Sequence, residues 1–117
     1  MINDYHSFVK SRCKSGQDIL ETMTPEKCHL AHMVFGLADE FGESVSPLKK
    51  HIFYNQELNF GAVKEELGDK LFYITGICNQ LGFNLETLMQ ENMEKLEKRY
   101  PIAYSDQLAE ERRDKNE

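Results

Sequence analysis

Nowhere does this chain hold the ~20 consecutive apolar residues that a membrane-spanning helix requires, and its N-terminus lacks a basic-then-apolar signal pattern. Those absences predict a cytoplasmic protein with no membrane partner. Positive charge is also in short supply: 14 Lys and Arg stand against 20 Asp and Glu, for a net charge of -6. Such a balance repels a phosphate backbone and argues against nucleic acid as a partner, while a small phosphorylated ligand remains compatible if cations screen the acids. The three cysteines, Cys13, Cys28 and Cys78, are odd in number, far apart and without C-x-x-C spacing. They read as reduced, packed thiols. β-Branched residues are few and no Asn-Gly hairpin signal occurs, so strands are not expected. What remains is 117 residues with 40% hydrophobic and 29% charged content, the composition of a single soluble globular domain spanning 1–117.

The few prolines punctuate helices. Pro25, Pro47 and Pro101 each fall where a helical pattern starts or stops. A first helix is expected from about Asn3 to Cys13, with Tyr5, Phe8 and Val9 inward. A second should start at the Thr24-Pro25 cap and run to about Val45, with Leu30, Val34, Leu37, Phe41 and Val45 as its apolar stripe. Residues 48–54 either extend it after a kink or form a turn. The third opens near Gly61, carries Val63, Leu67, Leu71, Ile74, Cys78 and Leu81, and ends at Gly82. Asn84 caps a fourth, with Leu85, Leu88, Met89 and Leu96, that reaches Pro101. The charged end from about 110 to 117 reads as a flexible, solvated tail. The predicted fold class is all-α, an antiparallel bundle of about four helices.

Turning the second helix by 100° per residue puts Glu40 and Glu43 one turn apart on one face, about 100 to 160° from the apolar stripe, with His29, His32 and Gly36 near that side. The third helix repeats the arrangement with Glu66 and Asp69, alongside Ala62, Tyr73 and Gln80. One such acidic pair is ordinary for a solvated face. Two pairs on consecutive helices, with Gly36, Gly42, Gly68 and Gly76 among them, suggest close backbone approach or room for a ligand, since mid-helix glycine costs roughly 0.5 to 1 kcal/mol against alanine. If the two faces meet, four carboxylates converge and a divalent cation is needed to hold them together ionised. Magnesium, with its preference for oxygen ligands, suits such a site, and more than one ion is conceivable. The chemistry that follows is phosphoryl or nucleotidyl transfer to water.

Glu40-Phe41-Gly42-Glu43, followed by Glu66-Leu67-Gly68-Asp69 within the string Lys64 to Ile74, resembles the signature of the MazG-like all-α NTP pyrophosphohydrolases. The resemblance covers roughly 27–101. It implies a MazG-like bundle in which Glu40, Glu43, Glu66 and Asp69 bind Mg2+ (or Mn2+), and hydrolysis of an NTP or dNTP between the α and β phosphates in nucleotide-pool housecleaning. Asp39 stands where many relatives carry another glutamate. Asn92-x-x-Lys95-Leu96-x-x-Arg99-Tyr100-Pro101 is similar to the segment that follows the acids in that family, which implies that Asn92 supports the metal or substrate and that Lys95 and Arg99 meet phosphate oxygens. His29, His32 and Tyr73 are candidates for the nucleoside. With one copy of the motif per chain, the resemblance also implies a homodimer or dimer of dimers. Three rival readings are a non-catalytic helical interaction module, a phosphoribosyl-ATP pyrophosphatase-type activity, and a di-iron carboxylate protein. The last would need a second Glu-x-x-His beside Glu26-Lys27-Cys28-His29, and none occurs.

Overall fold

A computed structural model describes residues 1–115, and among these the regular structure is entirely helical: α1 (Ile2–Arg12), α2 (Gly16–Glu21), α3 (Pro25–Phe53), α4 (Phe60–Leu81), α5 (Leu85–Arg99), α6 (Asp106–Glu111) and a 3-10 turn (Arg113–Lys115). No helix among them is long and apolar enough to cross a membrane.

Local chemistry sets the boundaries. The Lys27 amide donates to Thr24 Oγ1 at 3.1 Å, with Pro25 in the first turn of α3. Asn59 accepts from the Ala62 amide at 3.0 Å, and Asn84 from the Thr87 amide at 3.1 Å. Gly82, at φ +75°, closes α4 in the left-handed conformation that glycine adopts without a Cβ penalty. α3 does not stop at Pro47; it continues to Phe53, so residues 48–53 extend the helix although Pro47 cannot donate to the Glu43 carbonyl. α2 lies in a stretch where no element was expected, capped by Ser15 accepting from the Asp18 amide at 3.0 Å.

α3 and α4 form the main packing unit. Met33 meets Gly76, Gly36 meets Tyr73 and Ser44 meets Lys70, so residues rising along α3 pair with residues falling along α4, and the two helices run antiparallel. α5 packs instead on the 3-10 turn and α6. Residues 110–115, expected in a solvated tail, instead carry the end of α6 and the 3-10 turn, and Asp114 is docked; Asn116 and Glu117 lie outside the described residues.

The expected apolar stripes are only partly covered: Cys78 is buried and Leu30, Leu37, Val63 and Ile74 are half-buried. Met33, Glu40, Ser44 and Cys78 are the buried residues of the α3–α4 seam, whereas Val34, Phe41, Val45, Leu67 and Leu71 are exposed. Tyr5, Phe8 and Val9 of α1 are exposed as well, and Cys13 and Cys28 are exposed thiols where packed ones were expected. The reason is geometric: a helical hairpin has one shared seam, and here the acids and glycines occupy much of it, leaving the rest of the hydrophobic faces outward. The single chain is therefore extended, with a radius of gyration of 20.4 Å against the ~13 Å of a compact domain this long. Its accessible surface is 9789 Å², where a compact monomer of this mass exposes roughly 6,600 Å².

Candidate active site

Midway along the α3–α4 seam, Glu40, Glu66 and Asp69 present carboxylate oxygens within 4.8 Å of one another, and Asp39, Glu40 and Glu43 form a second such group. Glu40 belongs to both. It is 8% exposed, Glu66 and Asp69 are half-buried, and Glu43 and Asp39 face solvent. The i, i+3 spacing in each helix and the antiparallel register together produce this convergence: the pairs 40/43 and 66/69 sit at the same height of the hairpin. Of the four acids expected to converge, Glu40, Glu66 and Asp69 share one group and Glu43 joins it through Glu40.

Close approach of the helices is possible because two glycines lie at their crossing. A Cβ on Gly36 would overlap the Tyr73 ring, and one on Gly76 would overlap the Met33 sulfur. Gly42 and Gly68 have open space around them instead. Gly36 and Gly76 thus serve backbone approach, whereas Gly42 and Gly68 are exposed.

Like charges at this separation cannot all stay ionised without compensation. The Glu40 carboxyl is pushed up from 4.5 to about 7, first by the neighbouring Glu66 side chain, with which a shared proton makes a hydrogen bond, then by burial and by the charges of Glu43, Glu66 and Asp69. Glu43 is raised as well, chiefly by the Asp39 charge and then by Glu66. One oxygen each of Glu40 and Glu66, Oε2, is buried with no hydrogen-bond partner. Buried carboxylate oxygens are normally paired, so these two orphans fit ligands for a hard divalent cation.

The remaining expected residues are placed differently. Tyr73 is half-buried in the seam over Gly36, its ring edge-on to Phe72 at 5.1 Å. His29 and His32 are exposed on α3, about 16 and 12 Å before Glu40 along the helix axis; His29 borders a groove with Met33, Phe72, Thr75 and Asn79. Asn92 and Lys95 are exposed on α5, beside Leu88 and Met89. Because α5 packs mainly on α6 and the 3-10 turn rather than on the α3–α4 hairpin, nothing among the described residues places Asn92, Lys95 or Arg99 beside the carboxylates. Arg99 is engaged elsewhere: its Nε and Nη2 donate to the two Asp114 carboxylate oxygens at 2.9 and 3.2 Å, with the side chains 17% and 4% exposed. That pairing holds Asp114 below the ordinary carboxylate range.

Two residues beside the cluster were not singled out from the sequence. Lys70 Nζ donates to Ser44 Oγ at 2.7 Å across the seam, and Ser44 Oγ donates to the Phe41 carbonyl at 3.0 Å. Their signal was present, since Lys70 follows Glu66 and Ser44 follows Glu40 by four residues each. A lysine four after a glutamate nevertheless looks like any exposed helical ion pair.

Comparison with known proteins agrees with this geometry. The chain is 35% identical over 75 residues to the Gene 37 protein of Mycobacterium phage L5, a match covering 60% of this chain and 65% of that protein. No solved structure matches. The MazG nucleotide pyrophosphohydrolase domain matches residues 29–103, which takes in all five acids of the cluster and the Asn92 to Arg99 segment. With well over half of its length so matched, the chain belongs to the MazG nucleotide pyrophosphohydrolase family.

Proposed function

We propose that this protein hydrolyses a nucleoside or deoxynucleoside triphosphate between the α and β phosphates, consuming one water and releasing a monophosphate and pyrophosphate, with Mg2+ as its metal. The observation that carries the reading is Glu40, shared by two carboxylate groups and, like Glu66, holding a buried oxygen without a partner. Glu40, Glu43, Glu66 and Asp69 would hold the ion, and Mn2+, with similar oxygen preference, should substitute. When bound, the ion neutralises phosphate charge and lowers the pKa of a water it carries.

The protein's own groups then have separate tasks. The α3–α4 seam fixes the carboxylates, so little reorganisation is needed when substrate arrives. Lys95 and Arg99 meet phosphate oxygens, Arg99 exchanging the Asp114 carboxylate for phosphate, and Asn92 supports the metal or substrate. Tyr73, His29 and His32 lie toward the nucleoside. Since nothing among the described residues places α5 beside the acids of its own chain, we assign that approach to a second copy, in a homodimer or dimer of dimers. The exposed apolar faces of α3, α4 and α1 support this, as does a surface roughly 3,200 Å² per chain larger than a compact monomer exposes. Nucleotide-pool housecleaning in the cytoplasm fits such an activity.

Calorimetric titration with Mg2+ tests the metal reading directly. Saturable heat at a stoichiometry near the protein concentration, lost in Glu66→Gln, is the expected result; no saturable heat would leave the acids as solvating groups of a helical interaction module. A nucleotide panel that includes dUTP, dCTP and phosphoribosyl-ATP, read by pyrophosphate release, identifies the substrate.

A further inference from the structure

The Lys70–Ser44 contact sits where it bears on the carboxylates. Ser44 lies one turn beyond Glu40 on α3, and Lys70 one turn beyond Glu66 on α4, so their hydrogen bond ties together the two helices that supply the cluster. Both ends are fixed. The Ser44 hydroxyl, 9% exposed, uses its proton on the Phe41 carbonyl and accepts from Lys70; the half-buried Lys70 ammonium also lies 4.8 Å from the centre of the Phe41 ring. An ammonium with these neighbours is held in one place, unlike a surface lysine that samples many rotamers.

Repulsion among Glu40, Glu43, Glu66 and Asp69 tends to drive α3 and α4 apart whenever the acids are ionised. A cross-helix bond with a charged donor, one turn away, opposes that movement. We infer that Lys70, acting through Ser44, is a positioning residue that keeps the Glu40 and Glu66 carboxylates in metal-ready register. This inference rests on the metal reading above and adds to it a residue outside the acidic motif.

Lys70 has two effects on a cation, and they differ in sign. Its positive charge repels the ion, whereas its bond to Ser44 preserves the geometry that binds it. Removing the bond while keeping the charge separates them. Mn2+ binding to the full chain, followed by the electron paramagnetic resonance signal of the free ion, is the measurement, with helicity by circular dichroism as the check on folding. We expect Ser44→Ala to weaken Mn2+ binding about tenfold, the loss of one charge-assisted hydrogen bond, Lys70→Met to weaken it by less because the repelling charge goes with the bond, and Lys70→Arg, which can still donate to Ser44, to bind nearly as the parent does. Unchanged binding in both Ser44→Ala and Lys70→Met overturns the inference. So does tighter binding in Lys70→Met with Ser44→Ala unaffected, which would make Lys70 only a competing charge. Should Lys70→Met not fold, Ser44→Ala decides alone. A wild-type chain that takes up no Mn2+ removes the metal reading itself and this inference with it, a result distinct from wild-type binding that the variants leave intact.

Discussion

Glu40 is the residue on which the site's electrostatics turn. In the metal-free protein its carboxyl titrates at about 7 rather than 4.5. Between those values the folded chain holds a proton that the unfolded chain has released, so stability falls as pH rises. The metal-free protein should therefore melt at progressively lower temperature from pH 5 to pH 8, and Glu40→Gln, which cannot ionise, should flatten that slope. A melting temperature that rises over the same range, with no change on substitution, would contradict the cluster's close packing. Divalent cation displaces the same proton, so metal binding should weaken below pH 7. That the acids of each pair share a helix face was legible in the sequence, because i, i+3 spacing is a property of any helix. Their burial was not: helical rotation placed them beside the apolar stripe, and only the packing of α4 on α3 puts Glu40 inside the seam.

At the scale of elements, the glycines divide the hairpin into contact and open space. Adding a methyl at Gly36 drives it into the Tyr73 ring, an overpacking of about 1–3 kcal/mol that the better helix propensity of alanine offsets by only about 0.5–1 kcal/mol. Gly42, with nothing nearby, has the propensity gain alone. Chemical denaturation should accordingly find Gly36→Ala less stable than the parent and Gly42→Ala more stable by about 0.5–1 kcal/mol; equal effects at the two sites would count against the seam. The tail offers a second test. Asp114 anchors the 3-10 turn to α5 through Arg99, so Asp114→Asn should speed proteolysis and amide exchange over residues 106–115 and leave α3 and α4 protected. Helix starts at Thr24 and Asn84 and the stop at Gly82 follow from caps that act within a few residues, and the sequence displays them; the Asn59 cap opens α4 just before the expected start near Gly61. The continuation of α3 through Pro47 and the docking of Asp114 on Arg99 depend on contacts along and beyond the local segment, which spacing and composition do not encode.

For the whole molecule, the helical class is evident from periodicity, but which faces pair is decided by what else is available to pack. The stripe of Val34, Phe41 and Val45 was read as core because an apolar face is normally covered. In one chain it is exposed, and the antiparallel bundle reduces to a hairpin with α5 set apart. The second copy proposed above would reconcile the two, and sedimentation equilibrium should then report a species of at least twice 13.6 kDa with none of the monomer at micromolar concentration. A monomer there would leave the apolar faces unexplained and strip α5 of its route to the acids. The central claim, that carboxylates 40, 43, 66 and 69 form a metal-dependent pyrophosphohydrolase centre, is tested most directly by phosphorus NMR of the products formed from a triphosphate with Mg2+. Equal amounts of monophosphate and pyrophosphate, absent in Glu66→Gln, are predicted; a diphosphate with orthophosphate, or turnover that survives the substitution, would contradict it.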